Sequence, residues 1–321
     1  MLNYIVYRLL LIIPILFGVT IVVFILNQLI PGDPVDFMLD IDATEADREY
    51  IRSYLGLDKP LIVQYFIWLS NILQGDFGMS VTRQTEVSYL ILGALKNTAI
   101  LIAVGGTIAF IIALIIGIFS AMYPKSKMAT LSNVLGISCV SIPNFWAALM
   151  LIGLFAVFLG WLPASGIRST GQESSLLDMA KHLVLPAIAV GLTTIGTMTR
   201  IVRSTFVDIF KQDFVVTLRA KGQGKGTIMK HVFKNGLPPV LVVAGLEIGS
   251  LMGGSVITES IFNWPGVGKL LYDAISQRDY PLIQGGILII SLLFVSVNMI
   301  VDVLHAYVDP RIRKSLGGGA S

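Results

Sequence analysis

Six long, almost uncharged apolar runs constrain this chain more than any other feature. They cover residues 9–29, 99–123, 133–158, 183–198, 237–257 and 283–304. A hydrocarbon core of about 30 Å takes roughly 20 residues of α-helix. Five runs meet that length, and the short fourth needs the turn that follows it. A spanning segment has no water to satisfy its backbone, which leaves helices or a closed barrel. Barrel strands alternate polar and apolar residues, and these runs do not. The expected class is an all-α membrane protein with six transmembrane helices. Composition agrees: 13% of the 321 residues are charged, against about 25% in globular chains. The first run is too long for a secretory leader and no small-residue cleavage site follows it, so it is read as the first span. The one cysteine, Cys139, lies inside a run and excludes an internal disulfide framework.

Orientation follows from the accumulation of cations on the cytoplasmic side. With the N-terminus inside, the inner segments hold fourteen Lys and Arg, including Arg8, against three acids, and the outer segments nine against fifteen, including Glu173. Both termini are therefore expected in the cytoplasm. The chain divides into an N-terminal segment with the first span (1–30), an extracellular helical loop (31–97), a core of five spans (98–306) containing an inner loop (203–236), and a cytoplasmic tail (307–321). The closing Gly317-Gly318-Gly319-Ala320-Ser321 reads as an appended or disordered end. In the outer loop, Thr44 with Asp47 three residues on forms a capping-box pattern, and a helix can run from there to Leu55 with Gly56 at its end. Pro60 opens a second helix with Ile62, Phe66, Leu69 and Leu73 on one face. Residues 75–80 close the loop with a tight polar turn, so the whole reads as a small lid on the outer membrane face.

The inner loop is the longest polar interval of the second half. Between Arg200 and Pro238 it carries eight cations against Asp208 and Asp213. The pattern predicts helix, turn, helix. Phe214, Leu218 and Lys221 stack at helical spacing, Gly222, Gly224 and Gly226 interrupt, and Thr227 is placed to cap the second helix. Such a basic elbow is either a docking surface for a soluble partner or simply the cationic loop that orientation demands. Charge does not separate the two.

Two spans hold unusual residues. The third contains Ser141, Pro143 and Asn144; proline removes a helical hydrogen bond, giving a packing kink or a hinge in a cavity wall. The fifth has Gly245, Gly249 and Gly253 at four-residue spacing, a face for close helix approach, with Glu247 and Ser250 beside it. Glu247 is about ten residues from either end of its run, where an ionised carboxylate costs about 2.5–3.5 kcal/mol on insertion scales. It must meet a cationic group in a pathway, bond to a neighbouring subunit, or be protonated. Asp302, at the inner end of the last span, can reach water.

Enzymatic motifs are missing. Gly222-Gln223-Gly224-Lys225-Gly226-Thr227 lacks the spacing and the preceding strand of a phosphate loop. His182, His231 and His305 are far apart in the expected topology and cannot share one metal. Ser165 has no base nearby. No catalysis and no metal are expected, and any work must draw on energy supplied from outside.

Residues 213–222, followed by His231, Asn235 and Pro239, resemble the cytoplasmic coupling loop of binding-protein-dependent ABC importer permeases. The likeness is greatest to the dipeptide/oligopeptide/nickel family, and it extends along nearly the whole chain. Pro31-Gly32-Asp33-Pro34, Gly56-Leu57-Asp58-Lys59-Pro60, Gly75-Asp76-Phe77-Gly78-Met79-Ser80, Thr258-Glu259, Phe262, Trp264-Pro265-Gly266, Gly268, Arg278-Asp279-Tyr280-Pro281 and Asp309-Pro310-Arg311-Ile312-Arg313 occur in the family's order. The loop departs from the broader superfamily's Glu-Ala-Ala opening, where this chain has Asp213-Phe214-Val215. The resemblance implies the type I importer fold and a transport subunit that is not an enzyme. It implies a second homologous permease, two cytoplasmic ATPase subunits, an extracellular substrate-binding protein and a bilayer as partners, with no nucleic acid. This chain would bind no cofactor, ATP and Mg being held by the ATPases. Asp213, Phe214, Arg219, Ala220, Lys221, Gly222 and His231 would meet the ATPase, with Ala220 and Gly222 small for close approach. Glu247, Ser250, Ser141 and Asn144 would line the translocation path, and Glu259, Trp264 and Asp279 would belong to an external gate. Family substrates are short peptides, including glutathione, or nickel and other metal chelates. A stand-alone ion-coupled transporter is the reading of another class; it needs a midplane ion site and usually internal repeats, and only the midplane carboxylate is present.

Overall fold

Backbone groups in hydrocarbon must bond within their own segment, and the described structure is accordingly almost all helix. The computed structural model describes residues 2–29, 35, 44–54, 56–169 and 175–308, with the side chains of 2–9, 51, 54, 128, 302 and 304–308 outside that set. The motifs Pro31-Gly32-Asp33-Pro34 and Asp309-Pro310-Arg311-Ile312-Arg313, Leu55, Glu173, the closing Gly317-Gly318-Gly319-Ala320-Ser321, and the side chains of Arg8, Asp302 and His305 lie outside the described residues.

In chain order the helices are α1 (Leu2–Leu29), α2 (Glu45–Tyr54), α3 (Leu61–Leu73), α4 (Val87–Met122), α5 (Lys127–Ser141), α6 (Asn144–Leu151, continued by a π-helical segment Ile152–Phe158), α7 (Leu176–Phe210), α8 (Asp213–Ala220), α9 (Lys225–Ile261), α10 (Val267–Gln277) and α11 (Tyr280–Val308). A two-residue antiparallel ladder, β1 (Met79–Ser80) with β2 (Thr85–Glu86), precedes α4. Among the described residues five helices, α1, α4, α7, α9 and α11, are long and apolar enough to cross a bilayer, and α5 with α6 makes a sixth element bent by 106°.

That bend differs from the single kinked span expected over 133–158. Ile142 (φ −79°, ψ 124°) and Pro143 (φ −60°, ψ 134°) are both extended, so the helix stops at Ser141 and restarts at Asn144. Proline disfavours helical geometry in the residue before it as well as removing its own N–H, and two consecutive extended residues turn the chain sharply. The fourth and fifth runs differ in the other direction. α7 and α9 extend well past 183–198 and 237–257 into the inner loop, and Pro238 and Pro239 are carried inside α9.

Two compact units emerge, Thr98–Trp264 with Val297–Ser321, and Leu2–Asn97 with Pro265–Ser296. In the first, α7 and α9 share the most extensive interface, and α5 and α6 pack on α7. Close approach of α4 and α5 to α7 depends on missing side chains. A Cβ on Gly191 would lie 2.9 Å from the Gly105 carbonyl oxygen, and one on Gly196 would lie 2.6 Å from that of Gly136. Small residues let membrane helices touch backbone to backbone in this way. The expected glycine face of the fifth span is only partly used for packing: Gly245 lies against Val301, while Gly253 has open space beside it.

In the second unit, α2 and α3 are the expected outer-loop helices. The Thr44 hydroxyl and N–H both donate to Asp47 Oδ2, at 2.6 and 3.0 Å, and Asp47 N–H returns a bond to Thr44 Oγ1. α3 is placed by an aromatic cluster with α1. Tyr65 packs edge-on to Phe24 and shares a buried 2.8 Å hydrogen bond with Thr20. Thr20 lies near the middle of the apolar stretch Leu10–Leu29, so α3 rests against the flank of the first span, deeper than a surface lid would. Val87, Ile91, Val267, Leu270, Leu282 and Ile283 form the unit's main core.

Candidate functional site

The inner elbow is held by its backbone from one side and its core from the other. α8 begins after extended Gln212 with Asp213 in its first turn and Arg219 in its last, the order that complements the helix dipole. It ends in two interlocking bonds, Gly222 N–H to the Arg219 carbonyl at 3.0 Å and Gln223 N–H to the Leu218 carbonyl at 3.1 Å. Gly222 adopts φ +71° to allow this, a left-handed conformation that favours glycine. α9 then starts at Lys225 with Gly224 as its cap, so the expected Thr227 cap is replaced and Gly226 lies inside the helix. Extended Gly224 sets the start because its C-terminal neighbours already have helical geometry.

Beneath the elbow lies a closed apolar cluster of Phe206, Ile209, Val215, Ile228 and Val232, with Phe214 and Leu218 packed against it. Phe206 sits over Gly236, where a Cβ would come within 2.8 Å of the ring. Asp213, Arg219, Ala220, Lys221, Gly222 and His231 are exposed, whereas Phe214 turns inward and is half-buried. Phe214 therefore braces the elbow from within. The exposed apolar residue on its outer face is Val216, which the sequence reading passed over. Its signal was helical spacing: residues 213, 216, 217 and 220 share one face. Arg219, Lys221, Lys225, Lys230 and Lys234 have no ion-pair partner among the described residues.

Farther along the same unit, polar side chains meet inside the apolar layer. Thr193 donates to Asn144 Oδ1 at 2.7 Å, and the adjacent Thr194 donates to Glu247 Oε2 at 3.3 Å. Asn144 and Glu247 therefore bracket one turn of α7. Ser250 is exposed one turn beyond Glu247. Ser141 bonds back to the Ile137 carbonyl at 2.9 Å and borders a shallow depression of about 440 Å³ lined also by Pro143, Phe145 and Trp146.

The residues expected at the outer gate are buried. Glu259 is fully buried, accepts from the Thr98 hydroxyl at 2.7 Å, and its carbonyl takes the Trp264 N–H at 2.8 Å. Trp264 is also fully buried, in a cluster with Leu101, Leu183 and Leu251. In the other unit, buried Asp279 accepts through Oδ2 from Ser80 Oγ at 2.5 Å, Thr82 Oγ1 at 2.8 Å and Thr82 N–H at 3.1 Å. Its other oxygen accepts from Leu282 N–H at 3.3 Å, capping α11. These side chains hold outer segments in place and present no surface of their own. Ser80 was named in the sequence only as the end of the 75–80 motif and Thr82 not at all, because bonds across about 200 positions leave no local trace.

A polytopic helical chain with a braced cationic elbow and polar side chains within its apolar spans has the features of a membrane transport component. The chain belongs to the family of binding-protein-dependent transport system inner membrane components: the family's main domain matches residues 113–314 and its N-terminal domain residues 1–101. It is 43% identical over 314 residues to the oligopeptide transport system permease protein AppB of Bacillus subtilis, covering 96% of this chain and 98% of that protein. It is 40% identical over 332 residues to the dipeptide transport system permease protein DppB of Alkalihalophilus pseudofirmus, covering 98% and 100%. It is 38% identical over 314 residues to the glutathione transport system permease protein GsiC of Escherichia coli, covering 98% and 99%. The chain is thus a multi-pass inner-membrane permease component of an importer, and its role is transport, not catalysis.

Proposed function

We propose that this permease carries short peptides, glutathione among them, into the cell. It would do so beside a second homologous permease, driven by two cytoplasmic ATPases that hold ATP and Mg, and fed by an extracellular binding protein. Relatives named for oligopeptides, dipeptides and glutathione, each aligned over nearly full length, support the substrate class. The observation that carries the coupling role is the elbow: an exposed cationic helix closed by a left-handed glycine and backed by a tight apolar cluster. A handle of this kind transmits a push because it cannot deform independently of α7 and α9. Asp213, Arg219, Ala220, Lys221, Gly222 and His231, with Val216 added, form the contact with an ATPase, and Phe214 stiffens it.

Gly222→Trp tests this directly. The variant is expected to reach the membrane and assemble while peptide-stimulated ATP hydrolysis and uptake fall to background. A bulky side chain strains the positive φ and fills the open space at Gly222. Unimpaired uptake in that variant, measured in vesicles containing the complete transporter, would remove the coupling role.

A further inference from the structure

Glu247 has a hydrogen bond to one oxygen and needs something for the other. It lies about ten residues from either end of the apolar run 237–257 and is only half-buried. Thr194 donates to Oε2, and no Lys or Arg forms an ion pair with the carboxylate among the described residues. Leaving such a charge uncompensated in hydrocarbon is unfavourable, so intramembrane carboxylates face a cavity or a counter-charge. The surroundings leave the carboxylate accessible. Leu246, Ser250, Gly253 and Ile257 are exposed along one stripe of α9, and Glu247 adjoins it. Gly253 has nothing within 4 Å of its Cβ position, and a Cβ on Gly254 would only just touch Asn144 Nδ2, at 3.5 Å. The stripe is therefore uncovered at Gly253, with Ser250 as its polar residue. Asn144 is held there by Thr193, immediately after the helix break.

We propose that Glu247, with Ser250 one turn on and Asn144 against Gly254 farther along α9, forms a way-station for an ammonium group of the passing substrate. The inference rests on the peptide-import reading and assigns it a charge preference within the membrane. A protonated amine, from an N-terminus or a lysine side chain, pairs with the open carboxylate oxygen. Ser250 Oγ and the Asn144 amide supply neutral hydrogen bonds that any peptide can use. A substrate carboxylate passing the same point meets like charge. The station raises throughput of cationic peptides relative to anionic ones without setting the affinity of the external receptor.

The complete transporter, assembled in vesicles from this chain with its partner permease, ATPases and receptor, is assayed for uptake of Ala-Lys-Ala and Ala-Glu-Ala at saturating receptor. The two differ only at the central side chain, and the receptor is the same for every variant, so receptor preference cancels when the uptake ratio is compared between variants. Glu247→Gln is expected to lower the lysine-to-glutamate ratio of maximal uptake rates by about fivefold, the effect of one partly screened charge contact, and Glu247→Asp to keep the wild-type direction. An unchanged ratio in Glu247→Gln, with both peptides still transported, overturns the station. So does dissociation of the purified complex in Glu247→Gln, which makes the carboxylate a subunit contact. If wild-type vesicles import neither peptide, the peptide reading fails and the station with it, a pattern distinct from either of the others.

Discussion

At the scale of single residues, the sharpest contrast is between two carboxylates, one conspicuous in the sequence by its place in an apolar run and the other named only through the family resemblance. Glu247 is half-open with one hydrogen bond, while Asp279 is closed in and accepts four. Burial with full satisfaction is a structural assignment, since removing the acceptor leaves several donors unpaired. Asp279→Ala is expected to destabilise the outer hairpin by roughly 2–4 kcal/mol, from the unpaired Ser80 and Thr82 donors. The readout is faster proteolytic cleavage between residues 74 and 86 with membrane insertion intact. Cleavage at the wild-type rate would show that the hairpin is held by something else. Sequence patterning made Glu247 conspicuous because an acid in an apolar run breaks a rule. It could not rank Asp279, whose surroundings are assembled from distant segments.

At the scale of elements, local signals were legible and long-range ones were not. The Thr44–Asp47 capping box and the glycine stops at Gly56 and Gly222 are encoded within five residues, and the structure has them, Gly56 at φ +70° and Gly222 at φ +71°. The Thr44 hydroxyl, then its N–H, hold the Asp47 carboxyl below the ordinary carboxylate range. A depressed folded pKa means this cap is at full strength above the ordinary Asp value and is lost as pH falls through the lower folded value. Acidification is therefore expected to lower the hydrogen-exchange protection of the Asp47 and Arg48 amides, measured relative to the intrinsic exchange rate at each pH, before it affects that of α3. Equal acid response in α2 and α3 would contradict the assignment. Proline gave the right place for the break at Ile142–Pro143 but not its size: a kink and a 106° turn leave the same residues in the sequence. The depth of α3 was hidden too, because the Tyr65–Thr20 bond and the aromatic cluster join residues about 45 positions apart. Amphipathic spacing tells that a helix has an apolar face without telling what covers it.

At the scale of the whole molecule, class, span number and family were all readable, because hydrocarbon leaves the backbone so few options. What could not be read was continuity. The sequence suggested a polar elbow followed by a separate span, and the structure has one helix, α9, from Lys225 to Ile261. The elbow and Glu247 therefore belong to the same rod. The helix from Lys225 to Glu247 is about 33 Å long at 1.5 Å per residue. Spin labels at positions 229 and 250 are expected to keep one separation with and without nucleotide in the full transporter, even as each moves relative to the lipid. A change of more than about 5 Å, roughly the pitch of one helical turn, would mean that Pro238 and Pro239 bend the rod in use. If it holds straight, α9 is a lever. A tilt of about five degrees applied at the cytoplasmic tip swings the carboxylate sideways by about 3 Å, close to the reach of one hydrogen bond. A stroke of that amplitude is enough to let go of a bound amine.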